Sequence, residues 1–329
     1  MGGDNGVVSI IRGIERSLNK NQELFFLVHG KKSELEKQME DYPNIQKACK
    51  IVPCETVVQM NEKPSNALRS GRDSSMWSCL NSLSKGEANI ALSCGNTGAL
   101  MAMSMVKLRK APGVNRPAIA ILWPAQNNRG FNILLDAGAD IRADSGDLLQ
   151  YTLMGVEYAR TGFDISKPRV GLLNVGTEDH KGRSELHEAS ILIQNEEKKI
   201  GHFEFVGFVE GNDMASTEID IIVTDGFTGN VALKTGEGTA SLIKEFLKET
   251  FGQSLLARIG ALFSLSALKK LNEKIDPRNV NGGIFLGLNG VVIKSHGGAD
   301  EIGVAAAINL AFQLESSGFS AKLASKFNT

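Results

Sequence analysis

Short apolar runs alternate along the chain with longer segments of helical period. Runs at 23–30 (ELFFLVHG), 88–95 (ANIALSCG), 117–123 (PAIAILW), 131–137 (FNILLDA), 169–176 (RVGLLNVG), 203–209 (FEFVGFV) and 219–226 (IDIIVTDG) predict strands. Most are apolar on both alternations, the pattern of strands covered on both faces. Between them, 96–108, 147–160, 184–199 and 230–250 predict helices. Strand, glycine turn and helix in repeated order predict an α/β fold with a doubly wound, mostly parallel sheet. In such a sheet ligands gather outside the carboxyl ends of the strands, so polar turns at those ends are expected to converge. No internal repeat or low-complexity linker divides the 329 residues, which predicts a single α/β domain over 1–329.

One stretch departs from this rhythm. In 251–275 (FGQSLLARIGALFSLSALKKLNEKI), Leu255, Ile259 and Leu262 follow helical spacing, and Leu256 and Phe263 widen the apolar face. Arg258, Lys269, Lys270 and Lys274 outnumber the lone Glu273, and Asp276-Pro277 ends the helix. The segment 251–280 therefore predicts an amphipathic helical protrusion. Its apolar face would pack on its own core, on a second subunit or on an anionic membrane surface.

Composition narrows the picture. Lys plus Arg is 36 and Asp plus Glu is 37, a net charge of −1, which excludes a globally basic nucleic-acid binder. Cys49, Cys54, Cys79 and Cys94 form no CxxC pair, so neither a zinc ribbon nor a redox motif is expected, and a reducing cytosol fits. The first ten residues lack a basic segment ahead of an apolar run, so no signal peptide is expected there. No uncharged apolar stretch reaches the length of a spanning helix.

Four polar, glycine-rich turns follow predicted strands. Ser93-Cys94-Gly95-Asn96-Thr97-Gly98 opens a helix, where exposed amides favour an anion; an ordinary helix cap explains it equally well. Asn174-Val175-Gly176-Thr177-Glu178-Asp179-His180-Lys181-Gly182 gathers acids, His180 and Lys181 in one turn; a solvated loop is the alternative. Thr224-Asp225-Gly226-Phe227-Thr228-Gly229-Asn230 repeats the geometry of the first. Gly287-Leu288-Asn289-Gly290 precedes a strand with Lys294 and His296 two residues apart on one side. Upstream, Lys63, Arg69 and Arg72 form a basic rim suited to an acidic partner, or simply a solvated helix face. There is no Walker loop and no GxGxxG, and no His, Cys or Asp cluster has metal-site spacing, so no cofactor and no metal are expected.

Taken together, these motifs resemble the PlsX family, the bacterial phosphate acyltransferases of phospholipid synthesis. The matching stretches are MGGDNG at 1–6, the KPS, ALR and DSSM group at 63–76, SCGNTGALMA at 93–102, RPA at 116–118, LLDAGAD at 134–140, GLLNVGTEDHKG at 171–182, VEGND at 209–213, DGFTGNVALKT at 225–235, GLNG at 287–290 and KSHGGAD at 294–300. They run in family order over nearly the whole chain. The resemblance implies a fold similar to isocitrate and isopropylmalate dehydrogenases and phosphotransacetylase. It implies a reaction in which inorganic phosphate attacks the thioester of a fatty acyl chain on acyl carrier protein. It also implies a homodimer in the cytoplasm, in peripheral contact with the membrane or with a downstream membrane acyltransferase. Family members carry a strand ending in Asp-Ala just ahead of Met-Gly-Gly-Asp, and its loss would expose a sheet edge. Arg183 stands where Asn is common.

On this basis Lys181 and the turn Gly95, Asn96, Thr97 and Gly98 are expected to hold phosphate. Asn230, with the Gly226–Gly229 amides, would donate to the carbonyl or phosphate oxygens. His296 or His180 would protonate the leaving thiolate, and Asn289 and Lys294 would contact substrate. Lys63, Arg69 and Arg72 would meet the acidic carrier protein. Leu255, Leu256, Ile259, Leu262 and Phe263 would meet the membrane or a second subunit. The competing expectations are a metal- and NAD-dependent decarboxylating dehydrogenase, which would need a carboxylate trio such as Asp136, Asp140 and Asp225, and a non-catalytic membrane scaffold.

Overall fold

The computed structural model describes residues 1–178, 180–268, 271, 278 and 281–325. All seven predicted strands form, most of them shorter than expected, while the one expected at 117–123 runs Ala118–Pro124. The first half builds α1 (Gly6–Leu18), β1 (Phe26–Gly30), α2 (Lys32–Met39), α3 (Pro43–Ala48), β2 (Cys49–Pro53), α4 (Pro64–Ser70), α5 (Ser75–Ser84), β3 (Ile90–Ser93), α6 (Thr97–Leu108), β4 (Ala118–Pro124) and β5 (Phe131–Leu135). Then come α7 (Ser145–Phe163), β6 (Arg169–Leu173), α8 (Ser184–Ile200), β7 (Glu204–Val209), β8 (Ile221–Val223), α9 (Gly226–Gly252) and α10 (Leu255–Phe263). The chain returns through β9 (Gly283–Leu286), β10 (Val291–Lys294), α11 (Glu301–Ser316) and α12 (Phe319–Ser325).

Eight strands form one sheet in the order β3-β10-β9-β4-β5-β8-β6-β7, and β1 and β2 pair separately. The sheet is mainly parallel, as expected, but it holds two parallel blocks of opposite direction. β3 and β10 run together, as do β5, β8, β6 and β7. β4 and β9 join the blocks through antiparallel pairings. The carboxyl ends of β3 and β10 therefore lie on one edge of the sheet, and those of β5, β8 and β6 on the other. The polar turns do not converge through a shared strand edge.

One face of the sheet is covered by α7, α8 and α11, which bury Tyr151, Ile193, Leu314 and the sheet residues Ile133, Leu172, Ile221 and Ile293. The other carries α5 and α6 over Ile119, Phe285 and Val292, through Leu80, Leu100 and Met103. Each such side chain contributes roughly 1.5–3 kcal/mol by leaving water. This explains why strands with two apolar alternations occupy the middle of the sheet. Between β1 and β3, each without a further strand partner among the described residues, lies an apolar cavity of about 530 Å³ lined by Leu27, Val28, Ile90, Leu92, Val304 and Ile308.

The helix expected at 230–250 starts four residues earlier and runs 27 residues, to Gly252. Ser254 then accepts from the Ala257 amide and caps α10. Among the described residues no helix is long and apolar enough to cross a membrane. Lys269, Lys270, Glu273, Lys274 and Asp276-Pro277 lie outside the described residues.

Candidate active site

Helix α9 ties the two edges of the sheet together. At its start, Asp225 Oδ1 accepts from the Thr228 amide at 2.8 Å, and Oδ2 pairs with Arg183. The Gly226 amide donates to the Asp140 carbonyl at 2.7 Å. A Cβ at Gly229 would stand 1.9 Å from the Asp136 carbonyl oxygen, so only glycine lets the helix seat against the turn after β5. That turn is wound around Asp136, whose buried carboxylate accepts from the amides of Ile119, Gly138, Ala139 and Asp140. Burial nonetheless holds its carboxyl above the usual range, with the amides pulling it down. One turn into α9, the Asn230 side-chain amide donates to the Ala137 carbonyl at 3.2 Å, and the residue is exposed.

Beside this turn, Asn174 at the end of β6 closes the loop that carries Lys181. Its Nδ2 donates to the Lys181 carbonyl at 2.9 Å, and its Oδ1 accepts from the Val175 amide. Gly182, at φ +95°, makes the tight return. Lys181 Nζ sits 2.8 Å from Glu178, which raises the lysine and lowers the acid. His180 is exposed, and Asp179 lies outside the described residues. Asn230, Lys181, Arg183 and the Gly226–Gly229 turn thus share one edge of the sheet.

The opposite edge gathers Cys94, Gly95, Lys294, Ser295 and His296. Lys294 is buried and donates to the Ser295 carbonyl. Burial pushes it down to about 8, and the charge of Lys234 adds to this. Cys94 is also buried, and burial pushes its thiol up. His296 Nδ1 accepts from the Gly298 amide at 3.0 Å, and Nε2 lies 3.2 Å from Lys234 Nζ. Burial and then Lys234 hold the imidazole below its ordinary range. Lys234 follows Asn230 by four residues on α9, so the two share one helix side about one turn apart.

Other expected site residues have local work. Asn96 caps α6 through the Ala99 amide and donates to the carbonyls of Gln59, Met60 and Glu62. It holds the 59–62 loop instead of facing outward; Thr97 and Gly98 beside it remain partly or fully exposed. Asn289 lies in the β9–β10 turn and donates to the Lys110 carbonyl, away from His296 and Lys294 across the sheet. Lys63 at the cap of α4, Arg69 within it and Arg72 in the turn that follows are exposed, and Pro64 of α4 packs against Gly98 at the start of α6. The trio Asp136, Asp140 and Asp225 is committed to the four amides, to Arg116 and to the α9 cap. Among the described residues no group of three or more His, Cys, Asp or Glu is placed to hold a metal ion.

Leu256 is 82% exposed and Phe263 87%, with Leu262 also exposed. The side chains of Leu255 and Ile259 lie outside the described residues. Lys234 was legible as the lysine four residues beyond Asn230, but not as a neighbour of His296, 62 residues away.

A family model described as "Fatty acid synthesis protein" matches residues 1–322. The phosphate acyltransferase of Paracoccus denitrificans (strain Pd 1222) is 57% identical over 326 residues, 99% of this chain and 88% of that protein. That of Ruegeria sp. (strain TM1040) is 57% identical over 327 residues, 99% of this chain and 87% of that one. The chain belongs to the phosphate acyltransferase (PlsX) family. It is an enzyme, a phosphate acyltransferase of fatty acid and phospholipid synthesis, and the dehydrogenase and scaffold expectations fall away. The fold is shared with a phosphotransacetylase from Streptococcus pyogenes, at a TM-score of 0.60 and 15% identity over 94% of this chain and 91% of that one. It is also shared with a branched-chain phosphotransacylase from Enterococcus faecalis V583, at 0.57 and 12% over 95% and 97%.

Proposed function

We propose that this phosphate acyltransferase takes a fatty acyl group from acyl carrier protein and passes it to inorganic phosphate. A phosphate oxygen attacks the thioester carbonyl carbon, the carbon–sulfur bond breaks, and the carrier leaves as a thiolate that takes up a proton. Phosphate is already a nucleophile, so the protein's work is to position it and to stabilise the oxyanion that develops. The observation that carries this reading is the placement of Asn230 and Lys234 one turn apart on α9, between two polar strand-end clusters. Asn230 serves the carbonyl oxygen through the second proton of its Nδ2; the Gly226, Thr228 and Gly229 amides, expected to share that work, are already bound to Asp140 and Asp225. Lys181, on the same edge as Asn230, supports the charge that develops on the carbonyl oxygen, and the amides of Asn96–Gly98 with the Thr97 hydroxyl supply phosphate contacts on the other edge, the Gly95 amide being taken by Ser93. The cysteines fit a reaction without a covalent cysteine. Burial pushes Cys49 up to about 12 and Cys79 up to about 11, which suppresses the thiolate.

The carrier protein docks on the basic rim of α4, and a second copy of the chain and a membrane surface share the apolar helical arm. That arm exposes Leu256, Leu262 and Phe263 on α10 and Leu242, Ile243 and Phe246 on α9. Patches of this kind mark protein or membrane contacts. Membrane contact is direct or through a downstream membrane acyltransferase, and the enzyme works in the cytoplasm. An acyl phosphate, apolar along its chain and labile in water, is then released beside the bilayer.

Incubation with palmitoyl-loaded acyl carrier protein and radioactive phosphate is expected to yield radioactive acyl phosphate; no product would overturn the donor assignment. Arg69→Glu with Arg72→Glu should raise KM for the carrier by about tenfold at low salt and leave KM for phosphate alone. The double variant Leu256→Glu, Phe263→Glu should lose binding to anionic vesicles while keeping dimer mass. A monomeric or aggregated variant would assign the arm to the dimer alone.

A further inference from the structure

Three basic side chains meet where β10 ends, and the hydrogen bonding of one fixes its chemistry. The Gly298 amide donates to His296 Nδ1 at 3.0 Å, so Nδ1 is an acceptor. A neutral imidazole has one donor and one acceptor nitrogen, so its proton must sit on Nε2. Nε2 faces Lys234 Nζ at 3.2 Å, and an ammonium is a donor with no acceptor capacity. Two donors thus point at the same space. Lys234 has Glu237 at 2.7 Å for one of its protons, while Nε2–H has no acceptor among the described residues. The charged groups that act on the ring are Lys234, Glu237, Lys294 and Asp4, two cations and two acids, with Lys234 dominant. An imidazolium there would break the Gly298 contact and add a cation beside two lysines.

We propose that Lys234 and His296 form the phosphate-holding pair of this enzyme, with His296 acting as a neutral Nε2–H donor and not as an acid that protonates the thiolate. An anionic oxygen placed between the two donors satisfies both, and charge-assisted bonds of this kind are about twice as strong as neutral ones. Asn230 lies one turn back on the same side of α9, which sets phosphate next to the carbonyl it attacks. The proposal rests on the acyl transfer described above and deepens it by adding a side-chain pair to the backbone contacts proposed there for phosphate.

The test is titration of the full-length protein with inorganic phosphate alone, followed by calorimetry, so that no acyl donor is needed. Lys234→Met and His296→Leu should each weaken Kd for phosphate by about tenfold or more. His296→Gln keeps an N–H donor of similar reach and should stay within about threefold of the unmodified protein. Nitrogen NMR of the His296 ring at pH 7 should show the proton on Nε2. A proton on Nδ1, an imidazolium at pH 7, or unchanged phosphate affinity in His296→Leu would overturn the proposal. The ring spectrum of the unmodified protein decides the matter even if a variant fails to fold. Phosphate binding without acyl phosphate formation from the carrier protein would defeat the donor assignment and leave this pair standing. Failure of the unmodified protein to bind phosphate would defeat the pair and leave the family activity standing.

Discussion

The two strand-end clusters use charge in opposite ways. On the edge formed by β5, β8 and β6, four of the described carboxylates are matched: Asp136 by four amides, Asp140 by Arg116, Asp225 by Arg183, and Glu178 by Lys181. On the edge formed by β3 and β10, donors crowd together: Lys294 is buried and pushed down to about 8, and Lys234 stands against His296. The first cluster is a frame that fixes the start of α9. The second is held at an electrostatic cost, and that cost falls when an anion arrives. The contrast teaches that the polar turns of this chain are not equivalent, although all four follow strands and all are rich in glycine.

The largest effect should come from breaking the frame. Asp136→Ala would orphan four backbone amides in a buried turn and unseat Gly229 above it. A loss of about 3 kcal/mol or more in stability is expected, visible as a lower midpoint in urea. A loss below about 1 kcal/mol would mean that water reaches the turn and that the frame matters less than its geometry suggests.

The donor-rich edge should respond with the opposite sign. A lysine whose folded-state value is depressed to about 8 binds fewer protons in the folded chain than in the unfolded one between about pH 8 and pH 10.5. Stability from this group therefore climbs as pH rises through that window, and below it the folded state carries the full cost of the buried charge. Lys294→Met should stabilise the free enzyme at pH 7 by up to roughly 3 kcal/mol and lose that advantage near pH 10.5. Thermal melts of both proteins at several pH values measure this. Equal melting shifts at pH 7 and pH 10.5 would show that packing, not charge, sets the difference.

The catalytic contrast is smaller in energy but sharper in what it separates. Asn230→Ala and Lys181→Ala should each lower turnover by about 10²-fold, or 2.7 kcal/mol, the usual scale for one lost oxyanion donor. Asn230 also donates to the Ala137 carbonyl, so its variant should lose a little stability as well. Lys181 is paired only at the surface with Glu178, so its variant should melt like the unmodified protein. Rates close to those of the unmodified enzyme in both variants would remove this edge from the chemistry and leave it as frame alone.

The apolar runs determined the strands by themselves. Sequences such as NILLD and DIIVT cannot be satisfied except with both faces covered, so strand identity and an α/β fold follow from local pattern. Glycine placement marked the turns as well. Gly226 and Gly229 sit where backbone passes backbone, and no side chain could occupy the space. The family motifs, running in order over nearly the whole chain, pointed to the activity without any knowledge of which segments meet. Strand direction was another matter. Whether a strand runs up or down depends on which strand it pairs with, and β4 and β9, far apart in sequence, reverse the sense between the two blocks. A rule that gathers all strand ends on one edge therefore failed here. Convergence was decided by α9 lying across the sheet, which no periodicity reveals. The neighbourhood of His296 was decided the same way: its tautomer follows from the Gly298 amide two residues on, but its charge partner comes from a helix 62 residues earlier. Local pattern sets what each segment becomes, since it depends on burial along the segment itself. Tertiary structure sets which segments meet, since it depends on pairings that close over long stretches of chain.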